Sequence, residues 1–129
     1  MPLMKFHVHA GWSQESLNAL LDIAHRSMVR SFQVPERDRY QIVNQHPPGT
    51  MIALDTGLDI PRTERFVLVE VVSRPRTVEQ KQTFYADLSQ DLHEGCGVPP
   101  SDLMVSFVEN SDADWSFGHG RAQFLTKEL

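Results

Sequence analysis

Apolar residues recur along this chain with two different periods, and each period appears twice. Leu3 to Val8 and Phe66 to Val72 are apolar, partly β-branched runs that read as strands. The second run, Phe-Val-Leu-Val-Glu-Val-Val, is nearly continuous, as expected of a strand covered on at least one face. After each run the period becomes helical. Leu17, Leu20, Leu21, Ala24, Met28 and Phe32 share one helical face, and Phe84, Tyr85, Leu88, Leu92 and Cys96 share another. Ser13 and Thr77 stand where N-caps belong, and Thr77 with Gln80 has the spacing of a capping box. Gly95 and Gly97 are expected to end the second helix. Val34-Pro35 and Val98-Pro99 then turn the chain into further strands, Arg39 to Asn44 and Leu103 to Val108.

These halves are copies. A constant shift of 64 residues takes Ser13 to Thr77, Glu15 to Glu79, Met28 to Leu92, Val34-Pro35 to Val98-Pro99 and Asp38 to Asp102, with no gap. The fold class is therefore α/β in a two-layer, α+β-like form: a duplicated βαβ unit giving a four-stranded sheet with two helices on one face. Crossover connections imply parallel strand pairs within each half. A single domain over residues 1–129 is expected, with a first βαβ unit at about 2–45 and a second at about 66–109. The linker, at about 46–65, carries Pro47, Pro48, Gly49, Gly57 and Pro61, and a hairpin and tail fill about 110–129. The sheet's second face is left bare, and a bare apolar face must find a partner, so an oligomer is expected.

Charge and composition narrow the function. The net charge is −5 with both signs interspersed, and neither a basic stripe nor a basic amphipathic helix is present. Neither a nucleic acid nor a membrane is thus an expected partner. A lone cysteine, Cys96, provides no disulfide framework and fits a reducing compartment. Met1-Pro2-Leu3-Met4-Lys5 lacks the apolar core of a signal peptide, so a cytoplasmic location is expected. No apolar run is long enough to span a membrane.

Candidate chemistry gathers at a few positions. If Met1 is removed, Pro2 becomes a secondary amine opening directly into a strand, which would pin it in place. An α-amino group titrates at about 7.7 to 8, so a modest shift makes it a base, an acid or an iminium-forming nucleophile. The plainer reading is an inert Met-Pro start. Arg74-Pro75-Arg76 follows the third strand, and residues two apart on an extended segment point the same way. Two guanidinium forks can grip one carboxylate. The alternative is a solvated strand end, but cations are disfavoured beside a helix N-terminus such as that capped by Thr77. Asp38 and Asp102 are both placed as turn residues. Asp38 could equally be salt-bridged within Glu36-Arg37-Asp38-Arg39. Asp114-Trp115-Ser116-Phe117-Gly118-His119-Gly120 reads as a tight hairpin that lays an apolar wall over a site or packs between subunits. His7 and His9 share a strand face, a spacing that metal sites use, but no further cluster completes a ligand set, so no metal is expected. Gly118-His119-Gly120 lacks the strand-to-helix setting of a phosphate loop, and Cys96 falls on an apolar helix face as inert core.

Three stretches together resemble the tautomerase superfamily, and within it the branch that decarboxylates malonate semialdehyde. They are Ser31 to Tyr40, Ser73-Arg-Pro-Arg76 with Glu79 to Gln82, and Glu109 to Gly118 running on to Arg121–Leu125. The resemblance spans almost the whole chain and is weakest around His7 to Trp12 and Met51 to Glu64. It implies a cofactor-independent carboxy-lyase that turns malonate semialdehyde into acetaldehyde and carbon dioxide, with hydratase activity beside it, and no cofactor. Pro2, Asp38, Arg74 and Arg76 would be catalytic, with the arginines also holding the substrate carboxylate. Trp115, Phe117, Phe124 and Leu129 would form the apolar part of the pocket. A homotrimer acting on a small 3-oxo acid is implied. The alternatives are a keto–enol tautomerase with Pro2 as general base and, if Met1 is retained, a non-catalytic binding trimer.

Overall fold

The computed structural model describes residues 1–129. The chain runs β1 (Leu3–His9), α1 (Gln14–Phe32), β2 (Tyr40–His46), β3 (Val67–Ser73), α2 (Val78–Cys96) and β4 (Leu103–Glu109). The linker between β2 and β3 contains neither helix nor strand. Each strand lies within two residues of its sequence-based bounds; β2 starts one residue late and extends two further, to His46.

The caps form as the sequence implies. Ser13 accepts the Ser16 N–H at 3.1 Å. Thr77 and Gln80 exchange two bonds of 3.0 Å, closing the capping box. Gly97, at φ 68°, supplies the left-handed residue that ends α2. Gly95 does not end the helix. It lies inside the last turn, where the side chain of Ile23 from α1 occupies the space a Cβ would need. Ile23 is buried there, a contact that the predicted apolar face lacked, whereas Leu21 is only half-buried. Tyr85 is 37% exposed and packs edge-on to Phe107 of β4.

The sheet order is β2-β1-β3-β4. β1 pairs with β2 and β3 with β4 in parallel, and the two halves meet through the antiparallel pair β1·β3. Met4, Phe6 and Val8 of β1 and Val67, Val69 and Val71 of β3 alternate inward against Leu20, Met28, Phe84, Leu88 and Leu92 of the helices. No helix is long and apolar enough to cross a membrane.

The opposite sheet face carries no layer, but it is not uniformly apolar. Tyr40, Ile42, Met104 and Val108 are exposed along its outer strands. Its centre is polar: His7 Nδ1 lies 2.8 Å from His46 Nε2, and His7 Nε2 lies 2.6 Å from Glu70.

Candidate active site

Strand register assembles the site. In β1·β2, Leu3 pairs with Tyr40, so the residues before Leu3 lie beside Asp38 and Arg39. In β1·β3, Leu3 pairs with Val72, so the same residues lie beside the end of β3, where Arg74 and Arg76 follow. One end of the sheet thus collects the chain-end amine, a carboxylate and two guanidinium groups. Pro2 is buried as the chain enters β1.

Asp38 is held by its own turn, its N–H bonding Pro35 O at 3.0 Å. The preceding loop is tied to α1 by a 2.8 Å bond between His25 Nε2 and Glu36 O. Its carboxylate is 8% exposed and forms an ion pair with the amine of Met1. No salt bridge forms within Glu36 to Arg39, because Arg39 turns away to Asp22. Burial sets the direction of the amine's pKa, which lies below its ordinary value. The Asp38 carboxylate opposes that shift, while Arg76 and then Arg74 reinforce it.

Arg76 is positioned by Ser73, a fully buried hydroxyl that accepts from Arg76 Nε at 3.1 Å and donates to Arg74 O at 2.8 Å. Arg76 Nη1 reaches Phe32 O at 3.5 Å. Burial, and then the charge of Arg74, lower the pKa of Arg76. Arg74 pairs with Asp112, Nε lying 2.7 Å from Oδ1, and lies 4.1 Å from the centre of the Phe124 ring. Both arginines therefore have fixed stems, with Nη atoms left to bind something else.

The C-terminal segment builds the wall. Trp115 stacks on Phe117 with centroids 5.5 Å apart and planes 11° from parallel. Phe117 meets Phe124 edge-on at 5.5 Å and stacks with Tyr40 at 5.8 Å. Trp115 Nε1 donates to Asn110 Oδ1 at 2.8 Å. The chain turns back through Gly118, His119 and Gly120, all at positive φ, as the predicted hairpin requires. A cavity of about 470 Å³ lies between this wall and the sheet end, lined by Met1, Asp38, Tyr40, Phe117, Gln123 and Leu129 among others.

Of the sequence-derived candidates, Asp38, Phe117 and Leu129 line this cavity. Pro2, Arg74, Arg76, Trp115 and Phe124 do not line it: Arg74 lies over Phe124, Trp115 backs Phe117, and Arg76 is near enough to Asp38 and the amine for their charges to act on one another. Tyr40, Arg37 and Gln123 also line the cavity and were not among the site candidates. Tyr40 had a signal, since it stands two residues beyond Asp38 at a strand start. Asp102 is more than a turn residue. It is fully buried, accepting the Thr63 N–H at 2.7 Å and a hydrogen bond from the Thr63 hydroxyl. Asp38 and Asp102 thus do the same job, each holding a nitrogen just ahead of its half's first strand.

The remaining candidates lie elsewhere. His7 uses both ring nitrogens on His46 and Glu70, and no group of three or more His, Cys, Asp or Glu is placed to hold a metal ion. Cys96 is half-buried, and burial pushes its thiol pKa up. A further cavity of about 540 Å³ between the helices is lined by Arg30 and Asp91, which pair with each other.

Comparison with known proteins supplies independent findings. Two sequence models of the family described as tautomerase enzyme match the chain, one over residues 38–118 and the other over residues 2–59. A probable tautomerase of Bacillus subtilis (strain 168), YrdN, is 51% identical over 129 residues, covering 100% of both chains. The crystal structure of a malonate semialdehyde decarboxylase, described with decarboxylase and hydratase activities, superposes with a TM-score of 0.97 at 52% identity over 98% of each chain. That of the FG41 malonate semialdehyde decarboxylase, inhibited by 3-bromopropiolate, superposes with a TM-score of 0.94 at 37% identity over 98% of this chain and 97% of that one.

Proposed function

Because the chain belongs to the tautomerase enzymes, we propose that it is a cofactor-independent carboxy-lyase that converts malonate semialdehyde to acetaldehyde and carbon dioxide. One observation carries the reading: the chain-end amine, Asp38 and two guanidinium groups meet at one end of the sheet. Similarity to two malonate semialdehyde decarboxylases supports it.

Removal of Met1 frees the Pro2 amine, displacing the reactive nitrogen inward by one residue, at most about 3.6 Å. Pro2 is buried and stands one residue inward of the Met1 amine, on which Asp38, Arg76 and Arg74 act. Arg74 and Arg76 bind the substrate carboxylate and turn its C–C bond toward the carbonyl π system. The pair of electrons from that bond must flow onto the aldehyde carbon's heteroatom as carbon dioxide departs. Burial lowers the pKa of the Met1 amine, and the same direction, carried to the buried Pro2 amine, favours the neutral nucleophile. Neutral Pro2 adds to the aldehyde, the oxygen leaves as water with the Pro2 N–H proton and one proton from solvent, and the resulting iminium accepts the electrons. The enamine so formed takes a proton on carbon, and water releases acetaldehyde and Pro2. Asp38 holds the protons that the amine gives and receives. Trp115, Phe117, Phe124 and Leu129 exclude water, which strengthens the charge contacts inside. Hydratase activity would use the same groups, with Asp38 orienting water.

The same direction, carried from the Met1 amine to Pro2, favours a second reading, keto–enol tautomerisation with neutral Pro2 as base. A homotrimer is proposed from the uncovered sheet face and its exposed Tyr40, Ile42, Met104 and Val108.

The deciding experiment pairs intact mass with NMR. Protein lacking Met1 by mass is mixed with malonate semialdehyde and, separately, with an enolpyruvate. Acetaldehyde appearing with turnover supports decarboxylation. Ketonisation of the enol without acetaldehyde selects the tautomerase. Full activity in protein that retains Met1 would remove the amine from the mechanism, and Met1 retention with no activity leaves a binding protein.

A further inference from the structure

The aromatic wall needs a support that the hairpin's backbone does not supply. Three successive residues, Gly118, His119 and Gly120, are at positive φ. The closing backbone bond, Arg121 N–H to Gly118 O, is long at 3.4 Å. Yet Phe117, at the hairpin's entry, is the hub that touches Trp115, Tyr40 and Phe124. Through Phe124 it also reaches the ring on which Arg74 rests.

Gln123 is 9% exposed and lines the cavity. Its Oε1 accepts the Phe117 N–H at 2.9 Å, and its Nε2 donates to Gly118 O at 2.7 Å. The amide thus grips the backbone on both sides of the residue that carries the wall. Its own carbonyl accepts the Glu128 N–H at 3.0 Å, tying in the tail that brings Leu129 to the cavity. A polar side chain buried at an apolar wall, with donor and acceptor both satisfied, fits a fixed orientation better than a packing filler.

We propose that Gln123 is the positioning residue of this site, the amide that sets Phe117 over the reacting carboxylate and, through Phe124, keeps Arg74 in line. The proposal rests on the decarboxylase reading for its kinetic consequences but not for its structural ones. It requires one donor and one acceptor at this position. Glutamate at neutral pH offers two acceptors and sets a negative charge against Gly118 O, whereas a protonated carboxyl regains the donor.

The test uses Q123E and the near-isosteric Q123M, which makes neither bond. At pH 8, Q123E is expected to lose on the order of tenfold or more in kcat/KM, mostly through KM, since the wall positions the substrate. The ratio of wild type to Q123E is expected to shrink as pH falls from about 8 to about 5 and the introduced carboxyl takes up a proton. Arg37, Asp38, Glu128 and the chain-end amine share the cavity with residue 123, so Q123M, which adds no charge, is the control for their part in the pH dependence. Q123M is expected to lose activity equally at all pH values. The second readout needs no substrate: the indole N–H NMR resonance of Trp115, assigned by W115F, is expected to shift in both variants while that of Trp12 stays. An active wild type with both variants within twofold of it, or a Q123E deficit that does not change with pH, would overturn the proposal. If Q123E fails to fold, Q123M carries the same two readouts. If wild type with a free Pro2 amine yields no acetaldehyde, the decarboxylase reading falls, and the Trp115 resonance alone decides on Gln123: unmoved in Q123E and Q123M, it overturns the proposal.

Discussion

Replacing Arg74 and Arg76 one at a time by Ala probes the site most sharply, because the structure makes them unequal. Arg74 pairs only through Nε, with Asp112 at 2.7 Å, and lies over Phe124, so both Nη atoms remain as a fork. Arg76 commits Nε to Ser73 Oγ and Nη1 to Phe32 O, leaving chiefly Nη2. A hydrogen bond to a charged group contributes about 1.5 to 3 kcal/mol, or roughly ten- to a hundredfold in affinity. R74A removes two such contacts, and with Arg74 partly exposed the lower figure applies to each. About 3 kcal/mol, on the order of a hundredfold in KM, is therefore expected for R74A, and roughly ten- to a hundredfold for R76A, whose single free contact is the more buried. R74K should recover only part, since an ammonium has no planar fork. R76A has a second consequence. Arg76 is the stronger of the two cations that lower the Met1 amine's pKa, and if the Pro2 amine feels them in the same order, deleting Arg76 raises its pKa. The limb of the rate profile on which the amine sheds its proton should move to higher pH in R76A, and less in R74A. Steady-state kinetics across pH, on variants whose melting temperature and assembly match wild type, check all of this. Near-normal kinetics in both variants, or a limb that moves to lower pH in R76A, would refute the reasoning.

D38N removes the influence that holds the amine's pKa up, so the same limb should move to lower pH, together with a loss of rate measured in the same assay. D102N sets an amide against the Thr63 donors in a fully buried position; a loss of about 1 to 3 kcal/mol is expected by thermal melting, with KM unchanged because the contact lies at the far end of β3 from Arg74. Sedimentation at micromolar concentration is expected to show a trimer, and a stable monomer would end the oligomer proposal.

Much of this was legible in the sequence because duplication repeats each local signal. Ser13 and Thr77, the two Val-Pro turns and the alternating apolar runs define the elements with little ambiguity. Asp38, Arg74 and Arg76 stood out for charge and spacing, but their convergence depends on β1 meeting β3 antiparallel. Repetition specifies the pairing inside each half and says nothing of which strands join the halves. Gly95 read as a stop signal, since its effect on Ile23 is a contact 72 residues away along the chain. Asp102 read as a turn residue because Thr63, its partner, sits in a linker without periodicity. Gln123 gave no signal at all, since a side-chain grip on a distant backbone has no period. The central His7–His46–Glu70 group likewise needs three strands in register before it exists.

The likeness of Asp38 and Asp102 suggests a circular permutant as a probe. A chain joined across its present ends and reopened just before Thr63 would set a new terminal amine on Asp102, as Met1 is now set on Asp38. The shift that carries Asp38 to Asp102 carries Arg74 and Arg76 back to Ala10 and Trp12, and the Arg65 guanidinium lies 4.1 Å over Trp12. Such a permutant would own a carboxylate-bound amine without counterparts of Arg74 and Arg76, its nearby Arg62 and Arg65 being bonded to the Ser101 and Cys96 carbonyls. It would separate, within one fold, the electrostatics that tune a nitrogen from those that seat a substrate.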